Sequence, residues 1–136
     1  MAVKINGIQH IGIPVTNLEA SETFYEKLGF KNIMSSDFIH LGDKGEVKMM
    51  SLDSMILEIY QMPESELNEI RQRGNGHIDH IAFDVTDIDQ TYQELKEQSF
   101  KIIEEAPVFL PFWEKGTKYF NILGPDGERL EFNQIL

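Results

Sequence analysis

The chain has 136 residues, 41% hydrophobic and 26% charged, with no cysteine and a formal net charge of −11. That length suits one compact domain with a real core, and the composition is that of a folded chain rather than a disordered one. The missing cysteines exclude disulfides, thiolate metal ligands and a cysteine nucleophile, and the acidic balance disfavours nucleic acid as a partner. The longest apolar stretch, 106–113, is far shorter than a spanning helix and carries two prolines, and the start lacks the apolar core of a signal peptide. A cytoplasmic protein without a membrane partner is the expectation.

The chain repeats itself. A shift of 70 lays His10-Ile11-Gly12-Ile13-Pro14-Val15-Thr16 on His80-Ile81-Ala82-Phe83-Asp84-Val85-Thr86, and a shift of 73 lays Leu57-Glu58 on Leu130-Glu131. Each copy opens on an alternating strand, Gln9 to Val15 and Asp79 to Val85. Thr16-x-x-Glu19 and Thr86-x-x-Asp89 follow as helix starts with the threonine hydroxyl as cap. The helices run to Leu28 and about Gln98, with Leu18, Tyr25 and Leu28 on one face of the first and Ile88, Tyr92 and Leu95 on one face of the second. Gly29 is a natural stop for the first.

Three short strands then follow in each copy. They are expected at 30–34, 46–52 and 55–61, with Asp53-Ser54 as a tight turn, and at 101–104, 116–122 and 129–135, with Gly124-Pro125-Asp126-Gly127 as the turn. The order is βαβββ twice. The reading is a single domain over 1–136, with module one at 8–62, a linker at 63–76 carrying a short polar helix, and module two at 77–136. The fold class is α+β.

Four polar residues fall on the side of these strands away from the helices. Alternation sets His10 against Ile11 and Ile13, and His80 against Ile81 and Phe83. It also sets Glu58 against Leu57 and Ile59, and Glu131 against Leu130 and Phe132. A carboxylate among such neighbours is costly unless paired or bound to a cation. One histidine and one glutamate at matching places in each copy suit a divalent ion: Zn, Ni, Co, Mn or Fe(II). His40 and His77 lack repeat partners and are read as non-ligands.

At these residues the sequence resembles the vicinal oxygen chelate superfamily, which includes glyoxalase I, methylmalonyl-CoA epimerase, extradiol dioxygenases and fosfomycin- and bleomycin-resistance proteins. The segments that carry the resemblance are Gln9-His10-Ile11-Gly12-Ile13, Asp79-His80-Ile81-Ala82-Phe83 and Gly124-Pro125-Asp126-Gly127-Glu128-Arg129-Leu130-Glu131. The resemblance implies two βαβββ modules forming a cupped, mostly antiparallel sheet around one divalent metal ion, with His10, Glu58, His80 and Glu131 as ligands. Four protein ligands point to the glyoxalase I and epimerase branch rather than to the dioxygenases. The implied activity is proton transfer, by an isomerase or lyase, on a small α-oxygenated carbonyl or thioester compound. Alternatives are an epimerase acting on methylmalonyl-CoA, an Fe(II) dioxygenase, and a binding or resistance protein without turnover.

Glu131 is the first candidate for the catalytic base and Glu58 the second. Phe112 and Trp113, within Phe109-Leu110-Pro111-Phe112-Trp113, are candidate substrate contacts forming an aromatic lip. A homodimer is expected by resemblance. Two positions depart from bacterial glyoxalase I: Pro14 stands where an arginine holds glutathione, and Met62 stands where an asparagine is expected. Against the epimerase, Lys48 stands near the place of its second catalytic glutamate, with Glu46 two residues away.

Overall fold

A computed structural model describes residues 2–27, 29–73, 78–123 and 129–136. Among them the elements run β1 (Gly7–Pro14), α1 (Leu18–Lys27), β2 (Lys31–His40), β3 (Asp43–Leu52), β4 (Met55–Gln61), α2 (Glu64–Gln72), β5 (His80–Asp84), α3 (Ile88–Glu97), β6 (Val108–Leu110), β7 (Thr117–Leu123) and β8 (Arg129–Ile135). The fold is α+β, with the order βαβββ occurring twice and α2 between the two occurrences. Leu28, His77 and the Gly-Pro-Asp-Gly turn lie outside the described residues.

The chain divides into two compact units, His10–Asp79 and Met1–Gln9 with His80–Leu136. In the first, the strands run in the order β2-β3-β4-β1, and in the second β5-β8-β7-β6. Both have the same pairing pattern. The first strand of each repeat lies parallel to the last, β1 with β4 and β5 with β8, and the other pairs within each unit are antiparallel.

Each helix seals one face of its own sheet. In the first unit Leu18, Phe30, Met50, Leu57 and Ile59 form the core, with Ile11, Ile13 and Tyr25 packed against it. In the second, Val85, Ile88, Leu95, Phe120, Ile122 and Phe132 play that part. Phe120 and Phe132 stack there with ring centroids 5.3 Å apart.

The helix ends repeat as closely as the strands. The caps are Asn17 and Asp87, one residue beyond the threonines expected from sequence: Asn17 Oδ1 accepts from the Ala20 amide at 2.9 Å and Asp87 Oδ1 from the Gln90 amide at 3.0 Å. The expectation that Thr16 and Thr86 cap is therefore corrected, since Asn17 and Asp87 stand directly ahead of the helices and reach the free N–H groups, whereas the threonines lie one residue too early. Gln61 and Gln134, at the ends of β4 and β8, each accept from the first helical amide, Leu18 or Ile88, at 2.9 Å. At the other end, Gly29 (φ 100°) and Ser99 (φ 63°) turn the chain left-handed. The next amides, Phe30 and Phe100, close back on Tyr25 and Leu95 at 3.1 Å in both copies. Asn17→Ala and Asp87→Ala are each expected to cost about 1 kcal/mol, read as a lower urea midpoint at unchanged slope.

Two strands differ from expectation. β2 and β3 extend well past 34 and before 46, because Leu41 (φ 50°) and Gly42 (φ 84°) make a two-residue turn that closes a long hairpin. A strand over 101–104 does not form. Only an isolated bridge, Ile102 with Ile122, stands there, and the edge strand is β6 at Val108–Leu110. The cause is local: the Glu104 carboxylate accepts from both the backbone amide and the side-chain amide of Asn121, at 2.6 and 2.8 Å. A side chain thus takes the donor that a continuing ladder would have used, and Pro107 has no N–H to offer.

Candidate metal centre

Each unit presents a histidine and a glutamate on the face opposite its helix. In the first, Gly12 is the register partner of Glu58, and in the second Ala82 is the partner of Glu131. His10 and His80 each precede that partner by two residues and so share its face. The side chain lying beside each glutamate is therefore the smallest available, a hydrogen or a methyl, which leaves room for carboxylate and imidazole to approach. His10 Nε2 lies 3.6 Å from Glu58 Oε2, and His80 Nε2 lies 3.8 Å from Glu131 Oε1.

These four groups are deeply placed. His10 is 1% exposed, His80 8% and Glu131 7%, and the Glu58 side chain is 12% exposed. Both separations exceed a good hydrogen bond. They come within a few tenths of an ångström of the roughly 3.0–3.4 Å that separates two donors each about 2.1 Å from one cation. Imidazole and carboxylate without thiolate are donors for Zn, Ni, Co, Mn or Fe(II), and the pair in each unit fits such an ion.

Around Glu131 a chain of side-chain hydrogen bonds runs to β1 and β7. Asn133, two residues on and on the same face, donates its Nδ2–H to Glu131 Oε2 at 3.3 Å. Gln9 Nε2 donates in turn to Asn133 Oδ1 at 2.9 Å, and the buried Thr117 hydroxyl donates to that same oxygen. Sequence reasoning singled out neither Gln9 as a polar contact nor Asn133 and Thr117. A polar residue at every second strand position reads as a wetted face, and the residue matching Asn133 in the first copy is Tyr60, so the repeat gives no signal.

Lys48 and Glu46 are turned away from this face. Lys48 is the register partner of Ile59 and its ammonium meets Glu22 of α1 at 2.6 Å, while Glu46 is exposed beside Lys44. On the His10–Glu58 side, β3 instead places Val47 and Met49, both buried. The Lys48 ammonium, and then the Asn32 amide, hold the Glu22 carboxyl below its usual value of 4.5. Because the folded value is the lower one, the stabilisation is present above that pH and fades as acid protonates Glu22 in the native state. Lys48→Met is expected to lose roughly 0.2–1 kcal/mol at neutral pH, a deficit that shrinks in chemical denaturation below the ordinary carboxyl range.

His40 is half-exposed, 3.6 Å from Glu66, and stands apart from the His10–Glu58 pair on the far end of β2. Phe112 is 4% exposed, and Trp113 has φ 65°, an uncommon conformation for a bulky side chain. The Trp113 indole N–H is buried without a hydrogen-bond partner. No helix among the described residues is long and apolar enough to cross a membrane.

Comparison with known proteins places this arrangement in a class. Residues 7–132 match the Glyoxalase/Bleomycin resistance protein/Dioxygenase superfamily, and the chain belongs to it. The chain is 34% identical over 131 residues to uncharacterized protein YwbC of Bacillus subtilis (strain 168), covering 93% of this chain and 96% of that one. It is 29% identical over 135 residues to a lactoylglutathione lyase of Neisseria meningitidis, covering 92% and 88%. A crystal structure of methylmalonyl-CoA epimerase from Mycobacterium tuberculosis has the same fold, with a TM-score of 0.79 at 18% identity over 100% of this chain and 92% of that chain.

Proposed function

We propose that this protein is a divalent-metal-dependent isomerase or lyase, transferring a proton on a small α-oxygenated carbonyl or thioester substrate. The observation that carries this reading is the duplicated pair: in each unit an imidazole and a carboxylate occupy the same register on a buried face. Membership of a superfamily that contains lyases adds to it.

His10, Glu58, His80 and Glu131 are the residues that would hold the ion. When bound, the cation supplies Lewis acidity, stabilising the negative charge that develops on a carbonyl oxygen as the neighbouring C–H is deprotonated. The rest is the work of side chains. Glu131 takes the proton and returns it to the adjacent carbon, with Glu58 as the second acid–base group. On β3 the residues beside Glu58 on that face are Val47 and Met49 rather than a carboxylate, which leaves Glu58 and Glu131 as the proposed acid–base pair. This favours the glyoxalase-like reading over an epimerase with a further glutamate on β3.

Phe112 and Trp113 belong to the proposal as the lip of the substrate pocket. The burial of Phe112 gives it a structural share, whereas the free indole N–H of Trp113 can donate to a substrate oxygen. The site is proposed to act in a homodimer in the cytoplasm. The test is solvent-deuterium exchange by metal-loaded protein into a panel of hydroxyketones, hemithioacetals and acyl-CoA thioesters. Exchange into one chemical class supports proton transfer, and exchange into none, with metal bound, contradicts it.

A further inference from the structure

We infer that Asn133 is a positioning residue which locks the Glu131 carboxylate in the orientation that a cation requires. The inference rests on the metal reading above and deepens it. Glu131 has two oxygens with different surroundings: Oε1 faces His80 Nε2 at 3.8 Å, and Oε2 accepts from Asn133 Nδ2 at 3.3 Å. A carboxylate that holds a metal with one oxygen is commonly fixed through the other, because free rotation about the last bond would swap them.

The amide of Asn133 is itself oriented. An asparagine can present either its oxygen or its NH₂ toward a neighbour, and the hydrogen-bond network decides which. Here Oδ1 accepts from two donors on different strands, Gln9 Nε2 and the Thr117 hydroxyl. Gln9 Nε2 is the committed donor, since it also reaches the Asn133 backbone carbonyl and the Asp84 carboxylate, which can only accept, and the Glu131 carboxylate likewise can only accept, so Nδ2 faces Glu131. Asn133 is 4% exposed and Thr117 fully buried, so water does not compete for these positions. The chain of contacts runs from Gln9, beside His10 in sequence, through Asn133 to Glu131. In the first repeat Tyr60 stands in the place of Asn133, so the residue two positions after Glu58 is a phenol rather than an amide.

The experiment compares Co(II) affinity, by chelator competition, and the Co(II) visible absorption spectrum in four proteins: unaltered, Asn133→Leu, Thr117→Val and Thr117→Ser. Asn133→Leu is expected to weaken Co(II) binding about 10–100-fold and to change the spectrum. Thr117→Val, which leaves both Asn133 and Glu131 in place, should weaken it several-fold, and Thr117→Ser, which restores the hydroxyl, should recover it. Should Asn133→Leu fail to fold, the threonine pair alone decides. Variants that bind Co(II) like the unaltered protein, with the same spectrum, overturn the inference even where their melting temperatures fall. Failure of the unaltered protein to bind Co(II) would instead remove the metal reading itself.

Discussion

His80→Ala is expected to weaken divalent-metal binding about 10²–10³-fold and, with it, any proton-transfer activity. In the unaltered protein about one ion per chain should survive gel filtration, as a site with four protein ligands predicts. Apparent binding free energies of roughly 10–16 kcal/mol for closed four-ligand zinc sites suggest about 3 kcal/mol per ligand, or a 10²–10³-fold loss of affinity on truncating one. His80 is also buried beside Glu131, so its removal leaves a carboxylate facing a void rather than an imidazole. The clearest sign is thermal. Added Ni, Co, Mn or Zn should raise the melting temperature of the unaltered protein, since a ligand that binds only the folded state stabilises it, and should raise that of His80→Ala only at an about 10²–10³-fold higher concentration.

Glu131→Gln tests the base when the variant is saturated with metal. Glutamine keeps the length of the side chain, so folding should survive, but its single oxygen can turn either to Asn133 or to the cation, so weaker metal binding is expected as well. Glutamine cannot take a proton. Loss of a positioned acid–base group typically costs 10²–10⁴-fold, and the expected result is a fall of that order in kcat with KM little changed. Glu58→Gln, the second candidate, should cost less. A larger loss for Glu58→Gln than for Glu131→Gln would reverse the assignment of the base.

What was legible from the sequence is what the duplication doubles. The strand alternation around His10 and His80 set each histidine opposite the helix, and the matching Leu-Glu pairs set Glu58 and Glu131 on the same side. Register turned that into geometry, because Gly12 and Ala82 fall beside the two glutamates in parallel ladders. Met55–Gln61 and Arg129–Ile135 were readable to the residue, since turn-forming segments bound them and their apolar residues alternate.

Features decided by competition between neighbouring groups were not legible in this way. Thr16 and Asn17 are both good caps, as are Thr86 and Asp87, and which one reaches the helix depends on where the first strand releases the chain. The segment at 101–104 carries the two adjacent β-branched residues Ile102 and Ile103, as a strand would, but the Glu104 carboxylate accepts from the amide of Asn121. Lys48 sits at a position where a resemblance suggested an acid, and only pairing with Ile59 reveals that it faces Glu22 on α1. The Gln9–Asn133–Glu131 chain was hidden for another reason: it joins residues 124 apart in sequence, and nothing in the repeat mirrors it.

The most direct test of the account is anomalous diffraction at the absorption edge of the bound metal, from crystals grown with Co(II) or Zn(II). The account predicts one strong peak per chain, roughly 2.0–2.2 Å from nitrogen of His10 and His80 and from oxygen of Glu58 and Glu131. A strong peak elsewhere, or no peak on these four residues in any assembly of the protein, would contradict it.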